Sequence, residues 1–522
     1  MRQMDEFSDP SWKIALLLQL PPGARIALHG ELAVAWEHSL AARGYRPIAG
    51  VHHGQAADCD AVLHFPGRKD THGPPLRSLL ASLGDRGQFF GLFRRRLSIF
   101  RGVRGALRNL LAADSVRQYA LERELRACAL DYSLWVPLPN LYDLEELAYA
   151  DNTAEVAASL GRGTGKSRLF RNFSDGFGVH ASRKGANGLA ALLEVLQEKL
   201  RREGVAPGDL QVARFDLRAR GALVLILGAG ALDYDLVCRF GYAGATRQQL
   251  QRHWDRQSAV RADLLRDPAV AAYIPRGVAQ FDLDEYRGWI EERVVGTVSW
   301  RLPVPLRKHV ERQLLHFLAG VGGLASAPRT ASPEDIESQL NVWAEQHSWD
   351  SEQLQEPLAA SRELLSRELR SVPLNYGWAH GDFGFGNAIV AADTGDLRGI
   401  IDWETASRAA PIGIDLFNLL LQRSLASHRG NLAEAVGRLL GLIQAGSLGA
   451  QMEGLEKFLA RFLPSARQQT VCFGLALYRW VRRELRYSVA AGWSAGDLAL
   501  ALRAFLGISL PFSRRNGDSN NS

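Results

Sequence analysis

The chain has 522 residues, too many for one ordinary core, and at roughly 100–200 residues per domain it should divide into several compact units. Hydrophobic residues make up 47% and charged residues 23%, a globular balance that excludes extensive disorder. The net charge of +6 and a pI near 9.2 are a mild excess over a large surface; they suit a phosphate-handling protein as well as a nucleic-acid binder and decide between neither.

Four cysteines, Cys59, Cys128, Cys238 and Cys472, are far apart and form no CxxC pair, which argues against a zinc site and a disulfide framework and for a reducing cytoplasm. The opening residues MRQMDEFSDPSWK are acidic and polar, unlike the basic start of a secretion signal. The longest apolar stretch, Ala222–Leu232, falls well short of the ~20 residues that span a bilayer and reads as a buried strand and turn.

From Arg25 to Arg96 short apolar runs (ARIALHG, YRPIAGVHH, CDAVLHFPG, QFFGLFRRR) alternate with helical patterns, which predicts βαβ units and a partly parallel sheet. This order resembles a Rossmann-like methyltransferase domain over residues 1–150, with Asp131–Ala148 as the tail such domains carry. The first strand-to-helix turn reads only His29-Gly30-Glu31, a poor cradle for a cofactor, so the domain is expected to be degenerate and to serve as a scaffold.

Arginines 94, 95, 96, 101, 104 and 108 are interleaved with apolar residues, a pattern that fits a solvated helix face and, as a competing reading, weak contact with a membrane surface through 94–108. Gly161–Ser167 reads GRGTGKS, one residue short of the phosphate-binding loop it imitates and with no strand before it, so a flexible lead into the next domain is the expectation. Then Gln211–Leu217, Ala222–Leu227 and Asp233–Phe240 read as three strands followed by a helix from Thr246 to about Leu265. Beyond Gly296 the pattern is almost wholly helical, and the polar end PFSRRNGDSNNS, from residue 511, reads as a disordered tail.

The strongest signal is Trp378-Ala-His380-Gly381-Asp382-Phe383-Gly384-Phe385-Gly386-Asn387-Ala388-Ile389-Val390, a carboxylate and a carboxamide five positions apart on a loop leading into a strand. Phosphoryl transfer needs such a pair: the acid orients the attacking hydroxyl and accepts its proton, while the amide oxygen and a second acid hold Mg²⁺ against the nucleotide phosphates. The second acid is Asp402, delivered at the end of the strand Leu397–Ile401, and the turn Asp393–Asp396 predicts a hairpin that brings Asn387 and Asp402 near one another. Glu404 is open between a metal or substrate contact and a loop salt bridge.

These residues resemble the aminoglycoside phosphotransferase and choline kinase-like superfamily, whose pattern is HGDxxxxN, a strand ending in IDWE, then PxxDL; the last is met with one extra residue as Pro411-Ile-Gly-Ile-Asp415-Leu416. The resemblance is strong over Gly377–Leu420 and weaker over about Gln211–Gly507. It implies an α+β protein kinase-like fold with a small β-rich lobe over 151–296 and a helical catalytic lobe over 297–510. It also implies ATP as co-substrate, Mg²⁺ on Asn387 and Asp402, Asp382 as the catalytic carboxylate, and His380 and Asp415 bracing the loop.

In the small lobe Arg239 stands where the family has a phosphate-gripping lysine, and its acidic helical partner is open between Asp255 and Asp263. The phosphate loop is open between Arg218–Gly221 and Gly228–Gly230. Trp289–Gly296, with Glu292, resembles the hinge that lines the adenine pocket. The expected activity is transfer of the γ-phosphate to a hydroxyl of a small polar metabolite, with no nucleic-acid partner. The rival is a non-catalytic nucleotide- or ligand-binding module of the same fold.

Overall fold

The computed structural model describes residues 11–30, 36–49, 58–65, 76–95, 115–116, 118–138, 146–149, 176–183, 187–216, 222–229, 235–241, 244–283, 286–341, 352–427, 431–487 and 494–517. Most of the arginine-rich stretch, the GRGTGKS segment and Arg218–Gly221 lie outside them; Arg94 and Arg95 end a strand. Among the described residues no helix is long and apolar enough to cross a membrane. The chain forms two compact units, Met1–Leu250 with Gly277–Arg293, and Gln251–Arg276 with Val294–Ser522.

The first unit contains strands β1 (Arg25–His29), β2 (Arg46–Ala49), β3 (Cys59–His64), β4 (Leu83–Arg95), β5 (Ser115–Val116), β6 (Leu130–Leu138), β7 (Glu146–Tyr149), β8 (Gly176–Arg183), β9 (Leu210–Asp216), β10 (Ala222–Ala229), β11 (Leu236–Gly241), β12 (Gly277–Leu283) and β13 (Tyr286–Glu292). Its helices are α1 (Ser11–Leu17), α2 (Glu37–Ala42), α3 (Leu76–Ala81), α4 (Gln118–Ala127) and α5 (Gly188–Arg202). All the strands join one sheet in the order β12-β13-β11-β10-β9-β7-β6-β8-β4-β3-β1-β2, with β5 beside β4. β2, β1, β3 and β4 run parallel, as the alternation of strand and helix patterns predicts.

Helices cover both faces there, which is why β1 and β3 read as nearly continuous apolar runs. Ile26, Leu28 and Leu63 pack in one core with α1 and with Leu192, Leu196 and Leu200 of α5, while Ala27, Val62 and Phe89 pack in another with Leu79, Leu121 and Leu125. The four-residue spacing of the α5 leucines gives that helix one apolar stripe, and the Asn187 side chain caps its start by accepting from the Ala190 amide at 3.1 Å.

The expected boundary at residue 150 does not separate the sheets. β7 pairs antiparallel with β9, Leu147 opposite Phe215, so the small-lobe strands continue the N-terminal sheet and neither strand is left with an unpaired edge at the junction. Sequence patterns identify strands but carry no record of which edges meet.

The second unit receives the chain within α6 (Gly244–Leu264) and adds α7 (Pro268–Ala271), α8 (Val304–Gly323), α9 (Pro333–Leu340), α10 (Glu352–Ser371), α11 (Gly413–Ser427), α12 (Leu432–Gln444), α13 (Leu455–Phe462), α14 (Ala466–Tyr487) and α15 (Ala495–Gly517). α11 is buried almost all round, from Ile414 and Leu416 through Leu421, as a central helix must be. The segment from residue 511, expected to be disordered from its polarity, is helical through Gly517, continuing from the buried turns at Leu498, Leu502 and Phe505.

Two small sheets complete this unit: β14 (Thr297–Val298), β16 (Ala388–Val390) and β17 (Leu397–Ile400) form one, and β15 (Tyr376–Ala379) with β18 (Ser407–Pro411) the other. They position the site. β15 ends just before His380, β16 starts just after Asn387, β17 ends just before Ile401-Asp402, and β18 leads into α11 and Asp415.

Candidate active site

The loop between β15 and β16 is tied down at nearly every peptide. Asp415, 3% exposed on α11, accepts the amide hydrogens of His380 at 2.5 Å and Gly381 at 2.8 Å. His380 Nε2 lies 2.8 Å from the Ile401 carbonyl and must donate to it, which leaves Nδ1 to accept from the Asp382 amide at 3.3 Å. The ring is therefore the neutral Nε2–H tautomer. Burial pulls its pKa down, against the opposing charges of Asp415 and Asp402, and the ring sits 4.6 Å from that of the buried Trp403.

Carbonyl groups of the loop are held as well: Thr405 Oγ1 donates to His380 at 2.7 Å and Asn418 Nδ2 to Gly381 at 3.2 Å. Gly381 has φ +83°, and a Cβ there would come within 2.7 Å of the Thr405 carbonyl, so only glycine fits the turn. Phe383 drives the loop into the core, fully buried and stacked on Phe317 at 5.9 Å with an interplanar angle of 3°. Truncating it to alanine would cost about 3–5 kcal/mol.

Asn387 closes the loop: its Nδ2 donates to the Asp382 carbonyl at 2.8 Å, which leaves the carboxamide oxygen as a donor atom for a cation. In the β16–β17 hairpin Ala388 lies opposite Ile400, and the Ile401 amide donates to the Asn387 carbonyl at 2.9 Å, so Asp402 follows directly on the residue bonded to Asn387. Its turn, Asp393–Asp396, is closed by Thr394 Oγ1 on Asp396 Oδ2 at 2.6 Å. Asp402 itself has φ 65°, a left-handed conformation that aspartate tolerates better than most residues and that turns the chain sharply at the site.

His380, Asp382, Asn387, Asp402 and Asp415 thus converge in the second unit. Among the described residues no group of three His, Cys, Asp or Glu side chains could hold a metal ion, and Asn387 with Asp402 offers two oxygen donors. That set suits a hard cation that keeps phosphate and water oxygens in its shell, as Mg²⁺ does.

Arg239 and Glu292 lie in the first unit. Arg239, on β11, pairs with Glu291 across the sheet at 3.1 Å and covers the Trp289 ring at 5.6 Å. Asp255 accepts from Gln251 at 2.7 Å, and Asp263 from Trp378 at 2.9 Å and Arg408 at 3.1 Å. The acid paired with Arg239 comes from the neighbouring strand β13, where the family resemblance implied one from a helix. Glu292 is half-buried at the end of β13, in register with Leu236.

Sequence reasoning missed the arginines around the loop. Arg483 of α14 forms an ion pair with the Asp382 carboxylate, and Arg256 of α6 donates to the Glu404 carbonyl. Arg479 is 2% exposed, and a Cβ on Gly381 would lie 3.0 Å from its Nη2. The only signal in the sequence was arginine at i and i+4 in YRWVRRELRY, indistinguishable from a solvated helix face.

Residues 227–446 match the phosphotransferase enzyme family, and over that stretch the chain carries a kinase-like phosphotransferase domain. No curated protein matches the chain in sequence. A thermostable mutant of aminoglycoside phosphotransferase APH(4)-Ia, in ternary complex with AMP-PNP and hygromycin B, is similar at 14% identity over 63% of this chain and 100% of that one, with a TM-score of 0.40. Aminoglycoside phosphotransferase APH(3'')-Id from Streptomyces rimosus, with ADP and streptomycin, is similar at 19% identity over 55% of this chain and 98% of that one, TM-score 0.35. Choline kinase LicA from Streptococcus pneumoniae is similar at 15% identity over 61% and 99%, TM-score 0.35. The family match carries the assignment; likeness at these TM-scores adds nothing to it.

Proposed function

We propose that this protein is a small-molecule kinase that transfers the γ-phosphate of ATP to a hydroxyl of a small polar metabolite. One observation carries the reading: Asp415, His380 and the β16–β17 hairpin lock a single loop in which Asp382 is bonded to Asn387 through its own carbonyl and Asn387 adjoins Asp402. Such rigidity is what in-line transfer requires, because misplacement of the attacking hydroxyl by 1 Å can cost ~100-fold in rate.

In this reading Asp382 orients the acceptor hydroxyl and takes its proton as the acceptor oxygen bonds to the γ-phosphorus and the bond to the β–γ bridging oxygen breaks. Asn387, through its carboxamide oxygen, and Asp402, through its carboxylate, would hold Mg²⁺. When bound, that ion supplies charge neutralisation on the phosphates. His380 and Asp415 are positioning residues that keep the loop in register. Arg239, its guanidinium oriented by Glu291, is the candidate for the nucleotide phosphates, and the backbone at Glu292 for the base.

We read the parallel part of the first unit as a scaffold rather than a working methyltransferase. Gly30 directly follows β1 with φ +92°, and a Cβ there would lie 1.8 Å from the Phe65 carbonyl, so at this glycine the space beside the backbone is taken by the chain itself rather than left for a cofactor. A cytoplasmic setting, where ATP is supplied, goes with this reading.

The test is γ-phosphate transfer from labelled ATP to a panel of hydroxyl metabolites, comparing wild type with Asp382→Asn. Turnover by the variant at the wild-type rate would sink the catalytic assignment.

A further inference from the structure

We propose that the acceptor carries an anionic group, a carboxylate or a phosphate, beside the hydroxyl it offers, and that Arg483 is the residue that reads it. The inference rests on the kinase reading and names its substrate class.

Arg483 holds the Asp382 carboxylate in an ion pair, with the two side chains 17% and 31% exposed. One oxygen of the Asp382 carboxylate is engaged by the guanidinium, so an acceptor hydroxyl placed on that carboxylate lies beside Arg483. An acceptor that carries its own anion beside that hydroxyl can pair with the same guanidinium by exchange. Its anionic oxygens take the guanidinium, whose flat fork matches either a carboxylate or a phosphate, and Asp382 is released next to the hydroxyl.

A second observation points the same way. Arg479 lies one helical turn before Arg483, buried behind Gly381; its Nη1 donates to Gln339 Oε1 at 3.3 Å, but Nε and Nη2 have no hydrogen-bond acceptor among the described residues. Burial pushes it down to about 10, Asp415 opposes that shift, and the Arg256 charge adds to it. Arg256, for its part, is held down by burial and by the neighbouring Arg252, with Glu404 opposing. Three arginines, 256, 479 and 483, therefore back one catalytic loop beside the acids Asp382, Asp402, Glu404 and Asp415, of which Asp415 is engaged with the loop amides and Asp382 with Arg483. An anion on the acceptor is the group that can pair with Arg483 while the hydroxyl faces Asp382.

The experiment uses the full chain and matched acceptor pairs, glycerol with glycerate and ribose with ribose 5-phosphate among them, in each of which the anion takes the place of one hydroxyl or esterifies it and leaves the others unchanged. Wild type should favour the anionic member by roughly tenfold or more in kcat/KM. Arg483→Met should remove that preference chiefly through KM, and Arg483→Lys should restore part of it. Equal turnover of both members, or an equal loss on both in Arg483→Met, overturns the proposal. A readout free of catalysis accompanies it: labelling of Arg483 by phenylglyoxal, followed by mass spectrometry, should be slowed by millimolar inorganic phosphate and not by matched chloride, and unslowed labelling also overturns it. Absence of transfer to every pair, with Asp382→Asn indistinguishable from wild type, defeats the kinase reading, and the labelling result then decides the anion site alone.

Discussion

One Asp415 carboxylate accepts the amide hydrogens of two successive residues, His380 at 2.5 Å and Gly381 at 2.8 Å, so a single acid on α11 sets the peptide plane that leads into Asp382. Asp415→Asn keeps the shape but offers one acceptor oxygen where two N–H groups need one each, and it leaves the Arg479 charge without its counter-charge. The expected cost is about 2–3 kcal/mol of stability, the penalty for a buried unmet donor. The kcat should fall roughly 100-fold, as for a misplaced attacking group, with the nucleotide KM little changed. Thermal melting and steady-state kinetics check this; a raised nucleotide KM at unaltered kcat would assign Asp415 to nucleotide binding instead.

Asp402 offers a cleaner substitution than most metal ligands. Its left-handed φ of 65° is tolerated by asparagine, so Asp402→Asn should fold normally while removing one negative charge from the pair it forms with Asn387. The Mg²⁺ concentration for half-maximal activity should rise on the order of tenfold, since ligand charge tunes affinity for a hard cation. Activity titrated against Mg²⁺ at saturating ATP reads this directly. An unchanged midpoint means that Asp402 is not a ligand.

Much of the site was legible in the sequence because its spacing is local. The interval from Asp382 to Asn387 and the glycine-containing turn at Asp393–Asp396 each fix geometry within a few residues, and the hairpin follows from them. The residues that escaped detection act across long separations. Arg483 reaches Asp382 from 101 positions away (483 less 382), and the acid paired with Arg239 lies on β13, two residues beyond the register partner Trp289. The continuous sheet escaped for the same reason: β7 and β9 each look like strands, and nothing in either pattern says that they pair.

Gly30→Ala tests whether the turn after β1 has room for anything but its own chain. The added methyl meets the Phe65 carbonyl and imposes a disfavoured positive φ, so the first unit should lose about 1–3 kcal/mol and melt earlier. Circular dichroism melts read the loss. In parallel, S-adenosylmethionine should show no calorimetric binding to the wild-type chain; micromolar affinity would overturn the scaffold reading.

Acid should destabilise the first unit through His180. This residue of β8 is 3% exposed, its Nε2 is 3.2 Å from Gln88 Oε1, and burial pushes its pKa down to about 4 from 6.5. Between those values the unfolded chain binds a proton that the native protein refuses, so stability falls as pH drops from about 6.5 towards 4 and is flat for this group above that window. The full shift corresponds to on the order of 3 kcal/mol. His380 in the second unit, also lowered by burial, acts with the same sign, while Asp415, raised by burial, acts with the opposite one. Denaturant midpoints measured from pH 7.5 to 4.5 on wild type and His180→Asn separate these contributions, because the variant keeps a polar group beside Gln88 but has no proton to bind. The slope for the first unit's transition should flatten in the variant, and an identical slope in both proteins would mean that His180 is solvated and titrates normally.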